Sequence, residues 1–342
     1  MELLVIRFVI AFIIAFVITY RLVPLFCAIA FKYNIIDIPD GQVKTHKSPT
    51  PYLGGLAVYI GFLTTLALLF SFEDHYFLLL VGSTLLLFIG LIDDLMVLKP
   101  YQKFAAQAVA VFCCLKSGLY LKTHFFNNIW SIGISALWCL TIINAFNLVD
   151  VMDGLATTLA ALITSSLALI ALYYGQYSLA LLLLVFLGAI SAFLCFNLPS
   201  ASVYLGDAGS LFLGGFLAPI PFLFNWGTYN WNGYFSPIVI FAVPLLEVTS
   251  LVIIRLSKGI PFYKPSPDHF CIYLRRRGWS ARHILIYMAV LAAGQLCATF
   301  LFLNNVIGLV GLCIAAGVFL AIWSSTLSFG GKNHWFLSRS SL

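Results

Sequence analysis

Charge is what this sequence has least of. Only 9% of its 342 residues are Asp, Glu, Lys or Arg, against 62% hydrophobic ones, where soluble domains carry roughly 25% charged residues. A water-soluble fold could not hide that much apolar surface, so the solvent of most of the chain is lipid. Long hydrophilic stretches are missing too, so no soluble domain is expected beside the membrane part. The eight cysteines form no CxxC pair, which excludes a readable zinc site or disulfide framework. Most fall in apolar runs, where cysteine acts as a small hydrophobe. The net charge of +6 has no soluble basic face to sit on, which excludes nucleic acid as a partner.

What is present is a series of apolar runs of membrane-crossing length, about 20 residues each. They predict an all-α, polytopic protein of 10–11 transmembrane helices. The runs are 3–27, 52–72, 76–92, 104–121, 129–146, 155–174, 177–196, 210–225, 236–256, 283–303 and 306–326. The first lacks a basic start and a small-residue cleavage site and is too long for a signal-peptide core, so it reads as an uncleaved span. With no hydrophilic insert, residues 1–342 read as a single integral membrane domain.

Alternating the loops separates the charges. One set carries thirteen lysines and arginines, among them Lys44, Lys99, Lys103, Lys258 and Arg275–Arg277; the other carries Arg7, Lys116 and Lys122. The positive-inside rule makes the first set cytosolic and puts the N-terminus outside. Asp37, Asp40, Asp93, Asp94, Asp150, Asp153, Asp207 and Asp268 fall on the same cytosolic side. Acids contribute little to topology, so their gathering points to chemistry.

Five polar clusters share that side. Gly90-Leu91-Ile92-Asp93-Asp94 ends the third span, and adjacent carboxylates call for a cation or a metal-bound phosphate. A hairpin returns Lys103 over the same place. Asn144, Asn147, Asp150 and Asp153 recur every three residues, a spacing that drifts by 60° per step on an ideal helix. A helix break between Asn147 and Asp153 lets all four converge, and Asp153 before Gly154 also suits a helix N-cap. Tyr204-Leu205-Gly206-Asp207-Ala208-Gly209-Ser210 sets glycines around one acid; Gly206 allows close backbone approach to a ligand, and a helix N-terminus there suits phosphate. Ser266-Pro267-Asp268-His269-Phe270 precedes the Arg275–Arg277 run. In the first cytosolic loop, prolines stiffen a segment whose Lys44 and His46 suit phosphate. Together these supply acids, amides and cations for metal-assisted phosphoryl transfer, with Mg²⁺, or Mn²⁺ as alternative, on oxygen ligands.

In this order and placement, from about Asp37 to Trp279, the clusters resemble the polyprenyl-phosphate N-acetylhexosamine-1-phosphate transferases. The branch most resembled is the bacterial undecaprenyl-phosphate N-acetylglucosamine-1-phosphate transferases, multi-pass proteins of the cytoplasmic (inner) membrane that serve cell-envelope polysaccharide synthesis, including lipopolysaccharide. The resemblance implies a UDP-sugar donor, an undecaprenyl or other polyprenyl phosphate acceptor, Mg²⁺, UMP as product, and a homodimer. Asp93 and Asp94 match the catalytic carboxylate pair, Asn147 and Asp207 the magnesium positions, Lys103 a phosphate contact, Asp153 the uracil end, and His269 a contact near sugar and diphosphate. The last motif has one histidine where well-known branches have two or more, which leaves the sugar open. Glu247 stands where relatives often carry Asp. The phospho-N-acetylmuramoyl-pentapeptide transferases of peptidoglycan synthesis are the nearest alternative. A secondary transporter is the rival from another class, but it would place its polar site near the bilayer midplane, between repeats.

Overall fold

The computed structural model describes residues 2–37, 49–69, 74–261, 263–264 and 266–328. Helices account for most of it, as expected of a chain whose backbone must satisfy its own N–H and C=O groups in lipid. Its helices form two compact units, residues 1–225 and 226–342.

The first unit opens with α1 (Glu2–Lys32) and a two-residue antiparallel ribbon, β1 (Ile36–Asp37) with β2 (Thr50–Pro51). Then come α2 (Gly54–Leu69), α3 (Asp74–Met96), α4 (Pro100–Lys116), α5 (Asn128–Val149), α6 (Leu155–Tyr173), α7 (Tyr177–Asn197) and α8 (Gly206–Leu217). A 3₁₀ turn at Ile220–Leu223 prolongs α8. The second unit holds the short α9 (Trp226–Tyr229), α10 (Ser236–Ile240), α11 (Ala242–Ser257), α12 (Phe270–Arg276), α13 (Ala281–Leu303) and α14 (Leu309–Ser328).

Among the described residues every predicted span overlaps a helix. Among the described residues, eight helical stretches are long and apolar enough to cross a membrane unaided. Three other predicted spans differ in form. α2 and α4 are shorter, at 16 and 17 residues. The run at 236–256 is a pair, α10 and α11, bent by 66°. The protein is a polytopic, all-α membrane protein; the ribbon is an addition that no periodicity announces, being only two residues per strand.

α8 is the axle of the first unit. Residues Ala208–Leu217 are buried throughout, against α3, α5 and α2. Lipid gives no hydrophobic drive for helices to associate, so they meet by close packing at small residues. A Cβ on Gly90 of α3 would collide with the Asp207 carbonyl and with Ala208 Cα. Farther along, Phe62, Phe186, Phe212 and Phe216 from α2, α7 and α8 interlock with ring centroids 4.2–6.4 Å apart. Edge-on and tilted contacts of this kind add roughly 0.5–1.5 kcal/mol per pair beyond packing area. Trp138 Nε1 donates to the Ala218 carbonyl at 2.8 Å and so closes the far end of α8.

In the second unit α13 packs on α10 and α14, and α12 leans on α14. Arg277 donates to the Thr326 carbonyl at 2.6 Å, a cation at a helix C-terminus.

Candidate active site

The polar residues of the first unit collect at one end of its helices. α3 brings Asp93 and Asp94 in its last turn, α4 brings Lys103 in its first, α5 brings Asn147 in its last, and α8 starts with Gly206 and Asp207. Asp150 caps α5, and Asp153 lies in the link to α6.

Lys103 is the hub. Its ammonium lies 2.7 Å from Asp93 Oδ2, 2.7 Å from Asp207 Oδ2 and 3.3 Å from Asn147 Oδ1. Asp93 Oδ1 also accepts from the Leu98 N–H at 2.6 Å. Asn147 donates through Nδ2 to Asp207 Oδ1 at 2.7 Å and to Ser210 Oγ at 3.0 Å, so its amide oxygen turns toward Lys103. Burial pulls the Lys103 ammonium down, but Asp207 and Asp93 outweigh that and hold its pKa above the ordinary lysine value.

Asp94 does a different job from its neighbour. Its two oxygens accept from the backbone N–H groups of Asp207 (2.8 Å) and Ala208 (3.0 Å). Thus α3 caps α8, and a carboxylate sits at the positive end of the helix dipole. The cap works because Gly206 adopts φ +73° and has no side chain. A Cβ there would lie 2.7 Å from Asp94 Oδ2 and 2.9 Å from the Tyr52 carbonyl.

Beside this cluster is a cavity of about 320 Å³ lined by Asp37, Tyr52, Asp94, Asp150–Asp153, Asn197 and Tyr204–Asp207. The ribbon shapes one wall. Tyr204 N–H donates to the Pro51 carbonyl at 2.8 Å, and Gly55 N–H to Leu205 O at 3.0 Å. Tyr52 and Tyr204 lie with ring centroids 6.3 Å apart.

Asp153 does not cap α6 as its position before Gly154 suggests. Gly154 itself takes the cap position with φ +73°, and Asp153 Oδ2 accepts from Ala201 N–H at 2.9 Å instead. That bond ties the α5–α6 link to the loop before α8. Asn144 is not brought to the cavity. It exchanges amide hydrogen bonds with Gln107 of α4 (2.8 and 3.3 Å) and donates to Leu140 O. The three-residue recurrence therefore joins Asn147, Asp150 and Asp153, and Asn144 stays a helix-pairing residue one turn below. Lys44 and His46 lie outside the described residues. His269 belongs to the 226–342 unit. Tyr204 and Ser210, the two ends of the glycine motif, also belong to the site, and Asn197 and Tyr52 complete it without having been singled out. Of these last two only Asn197, a lone amide closing an apolar run, left a signal in the sequence.

The cluster and the cavity beside it carry more negative than positive charge: Asp93 and Asp207 flank the ammonium, and Asp94, Asp150 and Asp153 line the cavity. Asp150 registers that field. Burial first, then Asp207, Asp94 and Asp153, push its carboxyl up to about 8. A folded-state pKa raised above the unfolded 3.8 means folding favours the protonated acid. Its contribution to stability is complete below the unfolded value and is lost as pH rises through about 8. With divalent ions chelated, melting in detergent is expected to drop between pH 5 and pH 8, and Asp150→Asn is expected to flatten that slope.

Residues 76–225 match the model of glycosyl transferase family 4. Over 281 residues the chain is 31% identical to the probable undecaprenyl-phosphate N-acetylglucosaminyl 1-phosphate transferase of Bacillus subtilis, covering 78% of this chain and 77% of that protein. The chain belongs to glycosyl transferase family 4. Another relative is the undecaprenyl-phosphate alpha-N-acetylglucosaminyl 1-phosphate transferase of Escherichia coli K12, 27% identical over 78% of this chain and 76% of that one. As a family 4 transferase the chain is an enzyme, and the matched segment runs from α3 through α8. It contains Asp93, Asp94, Lys103, Asn147, Asp150, Asp153 and Asp207, but neither the ribbon with Asp37 nor His269.

Among the described residues no three His, Cys, Asp or Glu side chains converge as a ready-made cluster. The convergent set is two carboxylates, Asp93 and Asp207, and the Asn147 amide oxygen, with a cation, the Lys103 ammonium, already between them. Oxygen-only donors in a negative field fit a hard divalent ion.

Proposed function

We propose that this enzyme transfers a sugar-1-phosphate, most simply N-acetylglucosamine-1-phosphate, from a UDP-sugar to undecaprenyl or a related polyprenyl phosphate. UMP leaves, and a lipid-linked diphosphate sugar for envelope polysaccharide synthesis remains. The observation that carries this reading is the cage of Asp93, Lys103, Asn147 and Asp207 beside a 320 Å³ cavity, in a family whose relatives bear the name of that reaction. A cavity of this size suits the nucleotide and diphosphate portion of a donor.

In this reading the polar end of the bundle faces the cytosol, the N-terminus lies outside, and the membrane is the bacterial inner one. The lipid tail stays in hydrocarbon while its phosphate reaches the cage. A phosphate monoester has a second pKa near 6, so the acceptor is largely dianionic at neutral pH and needs little general-base help. Its oxygen attacks the β-phosphorus of the donor, the bond to the α-phosphate oxygen breaks, and UMP carries the electron pair away. Lys103 is placed to neutralise phosphate oxygens, and Asp93 orients Lys103 or takes a residual proton. Asp94 acts through α8 by fixing Gly206 and Asp207. Asp207 and Asn147 would hold Mg²⁺, which supplies charge neutralisation at the diphosphate. Asp153 and Asp150 face the nucleotide end of the cavity. Positioning and charge neutralisation supply most of the rate gain.

The test offers purified protein undecaprenyl phosphate, Mg²⁺ and a panel of UDP-sugars, with UMP release as the readout. UDP-N-acetylglucosamine is expected to be the best donor, with inversion of configuration at the β-phosphorus. Turnover with none of the donors would overturn the reading. Preference for the muramoyl-pentapeptide donor would move the chain to the neighbouring branch.

A further inference from the structure

α4 and α5 run antiparallel in the first unit, and the cage supplies their first cross-link. Lys103, in the first turn of α4, reaches Asn147, in the last turn of α5, at 3.3 Å. A second cross-link lies one turn further along. Gln107 follows Lys103 by four residues and Asn144 precedes Asn147 by three, so each shares a helix face with its cage neighbour. Their amides pair reciprocally: Asn144 Nδ2 donates to Gln107 Oε1 at 2.8 Å, and Gln107 Nε2 donates to Asn144 Oδ1 at 3.3 Å. The other Asn144 proton goes to the Leu140 carbonyl at 2.7 Å. That carbonyl cannot turn, so it fixes which way the Asn144 amide faces and, through it, the Gln107 amide.

Neither amide lines the cavity, and Gln107 is 1% exposed. What they do follows from the rest of α4. Its other buried residues are Ala110, Val111 and Cys114, a small apolar stripe that packs closely but has no direction. Lipid adds no hydrophobic drive between helices, so the stripe alone would let α4 slide and turn on α5. A slip of one residue means about 1.5 Å of rise and about 100° of rotation. It would carry Gln107 off the face of Asn144 and leave two amides unpaired in an apolar interior, which is costly. The same slip would carry Lys103 away from Asp93 and Asp207. A lysine ammonium hangs on a flexible four-carbon stem, so its placement depends on where its helix stands.

We propose that Gln107 and Asn144 are positioning residues for Lys103: their amide pair sets the register of α4 on α5 and so holds the ammonium between Asp93 and Asp207. This rests on the sugar-phosphate transfer reading, in which Lys103 neutralises phosphate oxygens. The effect of the pair belongs to kcat, with KM for the UDP-sugar little changed.

Amide variants of the full chain in detergent test it. Gln107→Asn shortens one arm of the pair and Asn144→Gln lengthens the other. Each alone is expected to lower kcat for UMP release about 10–100-fold, the cost of a misplaced group. The two together restore the combined reach and are expected to recover most of the loss. Gln107→Leu with Asn144→Leu removes both amides, so melting is expected to stay near wild type while kcat stays low. A second readout needs no turnover: acylation of lysine amines, mapped by mass spectrometry with the exposed Lys99 as reference. Lys103, held by two carboxylates at 2.7 Å, is expected to label slowly in the wild type and in the exchanged pair, and several-fold faster in either single variant. Unchanged kcat in both single variants, recovery of kcat by the leucine pair, or unchanged labelling of Lys103 would overturn the proposal. Wild-type protein that turns over no UDP-sugar would instead sink the transferase reading, and the labelling pattern would then decide the positioning by itself.

Discussion

Asp207→Asn is expected to lower kcat about 10²–10³-fold, the cost of removing one preorganised charge at a reacting phosphate. Asp207 bonds to two other members of the cage, one through each oxygen: Lys103 at 2.7 Å through Oδ2 and Asn147 at 2.7 Å through Oδ1. The amide variant keeps an oxygen for one partner and presents N–H donors to the other, a donor facing a donor. Folding should suffer little, because the Asp94 cap on α8 uses the backbone N–H of residue 207 and not its side chain. Steady-state UMP release, with a melting curve as control, checks this. A variant with near wild-type kcat would remove Asp207 from the chemistry.

The second large effect is structural. Gly206→Ala must place a methyl group 2.7 Å from Asp94 Oδ2 and 2.9 Å from the Tyr52 carbonyl, on a backbone with φ +73°. The left-handed conformation alone costs an L-residue about 1–2 kcal/mol, and overpacking adds typically 1–3 kcal/mol. Because the displaced atom is the capping carboxylate, α8 loses its anchor to α3 together with the placement of Asp207. The expected outcome is a loss of about 2–5 kcal/mol in stability, read as a clear fall in melting temperature, accompanied by loss of turnover. An alanine variant that melts like the wild type would show that the turn has room to relax.

Most of this architecture was legible before any coordinates. Eleven apolar runs matched helices because lipid burial is written in composition, one residue after another. Asp93, Lys103, Asn147 and Asp207 were legible because a charged or amide group beside an apolar span is conspicuous. What stayed hidden depends on which element lies across from which. Nothing local tells that Asp94 serves backbone N–H groups more than a hundred residues away, while its neighbour Asp93 serves a lysine. Asn144 looked like one of a row of four until Gln107 turned out to face it. Asp153 had a local reason to cap α6, and a distant amide at Ala201 won. The bend between α10 and α11 and the two-residue ribbon are likewise set by neighbours and not by hydrophobic period.

The interlocked phenyl rings of α2, α7 and α8 have a consequence for how this enzyme handles its substrates. Asp207 rises from a helix whose next turns are wedged among Phe62, Phe186, Phe212 and Phe216, so the cage stands on a floor that cannot tilt. Any adjustment of the cavity then falls to the stretches at 150–154 and 198–205, which are joined to each other through Asp153 and Ala201. They would travel as one clasp over a fixed anvil.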